Sequence, residues 1–162
     1  MSPDGRWLAA VSANRLGDGA IRLWDLNRER KDYDTAADVV LKIAADETKD
    51  EQARAQTLSF GADGTLAAGC SDGRVAVWTP GFVKDAAPAW EAAATGSAIT
   101  ALGFENSGKR LWSGDARGIL KQRATATGDL LSTLRLLPAP QPAAAAAWVK
   151  WDKAGTIEKS AP

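Results

Sequence analysis

Asp63–Trp78 reads DGTLAAGCSDGRVAVW, and this stretch decides the fold. Asp63-Gly64 marks a turn, because glycine reaches positive φ without steric penalty. Leu66 to Cys70 is a short apolar run. Asp72-Gly73 is a second turn, of the kind that closes a tight hairpin. Val75 to Trp78 is β-branched and aromatic, as strands are. The apolar run does not alternate with polar residues, which is the pattern of strands covered on both faces.

The same order of signals occurs upstream. Ser2-Pro3-Asp4-Gly5 is a turn and Trp7 to Val11 a strand. Ser12 to Gly19 is a long hairpin loop, and Ile21 to Asp25 is a strand ending in Trp24-Asp25. Asp18 stands six residues before Trp24, and Asp72 six before Trp78. This repeat resembles the WD-repeat family, which takes its name from the Trp-Asp dipeptide. The resemblance implies an all-β fold: a partial WD-repeat β-propeller of about three four-stranded antiparallel blades, its ring not closed by this chain alone. It also implies that Asp18, Trp24, Asp25, Asp72 and Trp78 are structural repeat residues.

Two further units follow more loosely. Thr57 to Phe60 (TLSF) and Ile99 to Phe104 (ITALGF) share a pattern expected of innermost strands. Asn106-Ser107-Gly108 matches the Asp63-Gly64 turn, Leu111 to Gly114 matches Leu66 to Gly69, and Gly118 stands where Gly73 stands. In this third unit Arg117 replaces the hairpin Asp and Arg123 replaces the Trp. Val39 to Ala44 and Ala89 to Ala92 are read as outer strands. Residues 138–147 (PAPQPAAAAA) suit either a flexible linker or an irregular loop between blades. The loop is preferred, because Ala147 to Trp151 with Asp152 to Gly155 repeats the pattern of inner strand plus turn. The turn glycines Gly5, Gly64, Gly108 and Gly155 lie 59, 44 and 47 residues apart, against about 40–45 per blade of this kind.

The expected division is blade one, lacking its inner strand, over 1–54, blade two over 55–96 and blade three over 97–137. A loop and the inner strand of a next blade then occupy 138–162. Closed propellers have about four to eight blades, so the chain is expected to be a fragment of a larger ring. Bare strand edges and blade faces predict a homo-oligomer that closes the ring, or poor solubility.

Composition excludes several functions. Lys+Arg and Asp+Glu balance at 20 each, so no charge excess draws nucleic acid or an anionic membrane. No apolar run reaches the ~18 residues of a membrane span. The N-terminus shows no signal-peptide pattern, and a cytoplasmic location is the default expectation. The chain contains no histidine, so the hydrogen-bonded set built on the family's Gly-His dipeptide cannot form. Nucleophile–histidine pairs and HExxH metal sites are excluded on the same ground. Cys70 is the only cysteine and reads as a small core residue. The carboxylates at 46–47 and 50–51 read as a solvated face. No cofactor or metal is expected, and no enzymatic activity.

The resemblance implies a non-catalytic protein-interaction scaffold with protein partners. Loops at the ends of rigid blades carry such contacts. The long loop at Ser12–Asp18 points to the hairpin end, with Asn14, Arg15, Ser71 and Arg117 as partner-binding residues. Two alternatives remain: the sensor end of a multidomain signalling enzyme, and an oligomeric lectin-like propeller. For the second, Trp90 and Trp148 are the candidates for sugar stacking at the surface, with a core or blade-edge place preferred for both.

Overall fold

The structure, a computed structural model, describes residues 1–11, 19–31, 34–43, 53–137 and 147–159. Asn14, Arg15 and Asp18 lie outside the described residues. Three antiparallel sheets follow one another along the chain. The first is β1 (Trp7–Val11), β2 (Ile21–Asp25) and β3 (Val39–Leu41), in that spatial order. The second is β4 (Ala55–Phe60), β5 (Leu66–Cys70), β6 (Val75–Trp78) and β7 (Trp90–Ala92). The third holds β8 (Ile99–Phe104), β9 (Arg110–Asp115), β10 (Ile119–Ala124), β11 (Leu130–Leu137), β12 (Ala147–Asp152) and β13 (Ile157–Lys159). No helix occurs among the described residues. The fold is an open, partial propeller, and the sheets are its blades.

One turn recurs at the start of each strand pair. The N–H of Gly5, Gly64, Gly108 and Gly155 donates to the carbonyl three residues earlier, at 3.0, 3.0, 2.8 and 3.1 Å. A side-chain oxygen inside the turn braces it. The Thr65 N–H donates to Asp63 Oδ1 at 3.0 Å, the Lys109 N–H to Ser107 Oγ at 3.2 Å, and the Thr156 N–H to Asp152 Oδ1 at 2.8 Å. This local chemistry is what made the repeat visible in the sequence.

Strand register makes the three blades equivalent. Leu8 pairs with Trp24, Leu66 with Trp78 and Leu111 with Arg123. Trp24 Nε1 donates to the Thr35 carbonyl at 3.1 Å, and Trp78 Nε1 to the Ala86 carbonyl at 3.0 Å. In blade three Arg123 Nη1 donates to the Gly128 carbonyl at 2.8 Å. The guanidinium thus keeps the tryptophan's bond to the segment before the outer strand. Burial pulls the Arg123 pKa below its ordinary value.

Side chains between the sheets form two cores. Ile21, Leu23, Leu41, Leu66, Ala68 and Trp78 fill the space between blades one and two. Phe82, from the segment after β6, closes this core with edge-on contacts to Trp7 at 5.6 Å and Phe60 at 6.4 Å. Ala67, Val75, Val77, Ile99 and Leu111 fill the space between blades two and three. Trp90 on β7 ties the same two blades. Its Nε1 donates to the Thr125 carbonyl at 2.6 Å, and its ring lies where a Cβ on Gly128 would come within 2.7 Å. The indole offered above for sugar stacking is therefore engaged in a blade junction.

The C-terminal strand departs from expectation. β12 is not the inner strand of a next blade; it pairs with β11 on the outer edge of blade three. β13 then pairs with β12 and makes the sheet six-stranded. The physical reason is edge length. The outer strands β3 and β7 have three residues each, whereas β11 has eight. A long unpaired edge is a template for another strand, and β12 meets it over six register pairs.

Candidate functional site at the hairpin end

The hairpins β5–β6 and β9–β10 project at one end of the blades. Gly73 turns the first with φ of +90°, a value that side chains disfavour. Asp72 braces it: Oδ1 accepts the Arg74 N–H at 3.0 Å and Oδ2 accepts Arg74 Nε at 2.8 Å. Arg74 Nη1 continues to Glu91 Oε1 on β7 at 2.7 Å, which fixes the hairpin to the outer strand. Burial works against the charge on Arg74, but Glu91 and Asp72 outweigh it and hold the guanidinium pKa above its ordinary value.

In blade three a different carboxylate serves. Asp115 Oδ1 accepts the N–H groups of Arg117 at 2.9 Å and Ile119 at 3.0 Å. It stands two positions before the aspartate's expected place, where blade two has Cys70. Spacing from the hairpin glycine does not reveal it, because the place immediately before Gly118 holds Arg117. The signal available was Asp-Ala-Arg-Gly at a hairpin, since aspartate commonly accepts backbone N–H groups two residues on.

Each hairpin is fastened to the segment that enters its own blade. The Ser71 N–H donates to the Arg54 carbonyl at 2.9 Å, and Ser71 Oγ accepts the Arg54 N–H at 3.1 Å. The Ala116 N–H donates to the Ala98 carbonyl at 2.9 Å. The first hairpin is also overlain by the segment entering the next blade. The Asp72 carbonyl accepts from the N–H groups of Thr95 at 3.1 Å and Gly96 at 2.8 Å. A Cβ on Gly73 would meet Thr95 Oγ1 at 2.1 Å. Arg117 reaches back across this junction: Nη2 donates to the Thr95 carbonyl at 3.2 Å and lies 3.5 Å from Asp115 Oδ2. Its side chain remains 56% exposed. Ser71 and Arg117 thus share one end, with Ser71 committed to the scaffold and Arg117 presented from it.

Reactive chemistry is muted here. Asp72 and Asp115 are both engaged by backbone donors. Cys70 is buried, and burial pushes its thiol up to about 12. A thiol reagent is expected to label Cys70 in the folded chain far more slowly than in the unfolded chain, as timed assays with and without denaturant would read. Stability is also expected to fall as pH rises above the ordinary thiol range. The unfolded chain ionises Cys70 there, and the folded chain does not until about 12. Among the described residues no group of three or more His, Cys, Asp or Glu side chains could hold a metal ion. At the opposite end, a groove of about 400 Å³ between blades two and three is lined by Asp63, Thr65, Val77, Ser107, Lys109 and Thr125.

Asp25 of the Trp24-Asp25 dipeptide sits at that opposite end. Its Oδ2 accepts from Arg6 Nε at 3.1 Å and Nη2 at 2.8 Å, and Oδ1 accepts the Asn27 N–H at 3.1 Å. The Arg6 bond is the first cause holding this carboxyl below its usual range. A family model described as WD domain, G-beta repeat (WD40) matches residues 1–25, the unit that ends in this dipeptide. The chain carries a WD repeat and has the β-propeller fold. Solved structures agree with that fold. Sqt1 from Chaetomium thermophilum is similar with a TM-score of 0.62 and 16% identity, over 100% of this chain and 48% of Sqt1. The computationally designed Ika8 protein is similar with a TM-score of 0.54 and 22% identity, over 95% of this chain and 42% of Ika8. The designed Ika4 protein is similar with a TM-score of 0.54 and 22% identity, over 96% of this chain and 85% of Ika4. The chain therefore spans less than half the length of Sqt1 and of Ika8. No curated protein matches it.

Proposed function

We propose that the chain is a non-catalytic protein-interaction scaffold whose hairpin end carries the contact. The observation that supports this reading is Arg117. Its guanidinium is held in place by the Thr95 carbonyl and still presents more than half of its side chain to solvent. A preorganised arginine at the rim of rigid blades loses little freedom on binding and offers a planar fork to a carboxylate or carbonyl. Asn14 and Arg15 belong to the same reading through the length of their loop, and Ser71 through its position beside Asp72. The partners are proteins, a second copy of this chain among them.

The test begins with a partner captured by pull-down and measured by titration calorimetry. Arg117→Ala and Arg15→Ala are each expected to weaken binding by about 1 kcal/mol or more. Unchanged affinity for both variants would remove the hairpin end from consideration.

A further inference from the structure

The junction between blades two and three differs in charge from the junction between blades one and two. Blade two meets blade one through Ala76 and Trp78, which are 0% and 2% exposed in an apolar core. Register places Lys121 and Arg123 at the same two positions of blade three. They stand opposite Ser113 and Leu111, as Ala76 and Trp78 stand opposite Ala68 and Leu66. Two cations thus occupy a blade junction at places that are apolar one blade earlier.

A small cavity lies in this junction, lined by Val75 and Thr95 from blade two's side and by Ser113, Asp115, Lys121 and Arg123 of blade three. Its volume of about 10 Å³ suits a single particle the size of a water molecule. Two donors on its lining residues, Thr95 Oγ1 and Arg123 Nε, are buried without a hydrogen-bond partner among the described residues. Leaving a buried donor unpaired is costly, and more so when it is charged.

The lining charges do not cancel. Asp115 is the one carboxylate set against Lys121 and Arg123. Its oxygens are engaged by the N–H groups of Arg117 and Ile119 and by the Arg117 guanidinium. Lys121 makes no salt bridge among the described residues. Burial, and after it the charge of Arg123, holds the Lys121 pKa below its ordinary value. A water molecule in the cavity would accept hydrogen bonds but would leave the excess charge unpaired, and buried charge is costly unless paired.

We propose that this cavity is a binding site for one small monovalent anion of the size and charge of chloride. A single negative charge brings the lining to neutrality, and an acceptor is what Thr95 Oγ1 and Arg123 Nε lack. Chloride is little larger than water, so it suits the cavity where a polyatomic anion does not. Thr95 belongs to the segment entering blade three and Lys121 and Arg123 to its third strand, β10. The ion therefore joins the docking of blade three on blade two to the anion concentration. The site is separate from the hairpin-end contact and does not depend on it.

The test is thermal unfolding of the full chain, followed by far-UV circular dichroism in sodium chloride and in sodium gluconate at equal ionic strength. An ion that binds only the folded chain raises its melting temperature. The wild type is expected to melt at least about 3 °C higher in chloride, with bromide acting alike. The NMR line of chloride is expected to broaden with the folded protein and to sharpen when bromide is added. Lys121→Met leaves the lining neutral, and Arg123→Trp places there the residue of the other two blades. Each is expected to abolish both the salt difference and the broadening. Lys121→Met is also expected to melt no lower than the wild type in gluconate, which separates a lost ion from a damaged fold. Equal melting of the wild type in the two salts would overturn the proposal, and so would a chloride effect or broadening undiminished in the variants.

Discussion

Gly69→Ala is expected to destabilise the chain by about 3 kcal/mol, a large loss for one added methyl group. The new Cβ would lie 2.4 Å from Ile99 Cγ2, 2.7 Å from Ile99 Cβ and 2.8 Å from Thr57 Cγ2. None of these atoms is the free end of a long side chain. Ile99 is buried at the start of β8, in the core between blades two and three. Relief therefore requires β8 to shift against blade two, which disturbs the Ala67, Val75 and Val77 contacts together. Ile99→Ala alone removes buried volume and should cost about 2–4 kcal/mol. In the double variant the smaller side chain makes room, so the two losses should fall short of their sum by about 1 kcal/mol or more. Urea unfolding of the four chains measures this coupling. Strict additivity would mean that Gly69 and Ile99 do not meet across the blades.

Trp78→Ala is expected to cost about 3–5 kcal/mol. The indole is 2% exposed between blades one and two, among Leu23, Leu66, Ala76 and Phe82. Its loss leaves a large cavity and also leaves the Ala86 carbonyl without its 3.0 Å donor. Trp78→Phe keeps much of the apolar volume but not the donor, and should cost about 1–2 kcal/mol. Trp24 makes the equivalent bond to Thr35 but is only half-buried, since blade one lacks a covering neighbour. Trp24→Ala should therefore cost less than Trp78→Ala, by about 2 kcal/mol in dilute solution. Equal losses at the two positions in denaturant titrations would contradict the difference in cover.

Arg123 and Asp115 mark where reading by residue type fell short. The tryptophan's place holds Arg123 and the hairpin aspartate's place holds Arg117, so by residue type the third unit departs from the repeat. In the fold Arg123 keeps the tryptophan's hydrogen bond, and Asp115 takes over the hairpin aspartate's backbone acceptance. Function at these positions belongs to an atom's place, which different side chains can reach from different sequence positions. At the hairpin end, only Arg117's position relative to the Gly118 hairpin was legible. Its anchorage on Thr95 spans 22 residues of chain and depends on how blade three meets blade two.

What the sequence by itself determined is local. Turns at Gly5, Gly64, Gly108 and Gly155, the hairpin at Asp72-Gly73, and the strands ending in Trp24 and Trp78 follow from turn chemistry and strand periodicity within a few residues. The tertiary structure alone decided which edge each strand uses and which face each blade covers. Ala147–Asp152 carries the same strand-then-turn signal as Ala55–Phe60, and one sits outside blade three while the other lines the inside of blade two. A strand's own residues specify that it will pair. Its partner is chosen by competition among distant edges, and here the eight-residue edge of β11 is the one β12 occupies.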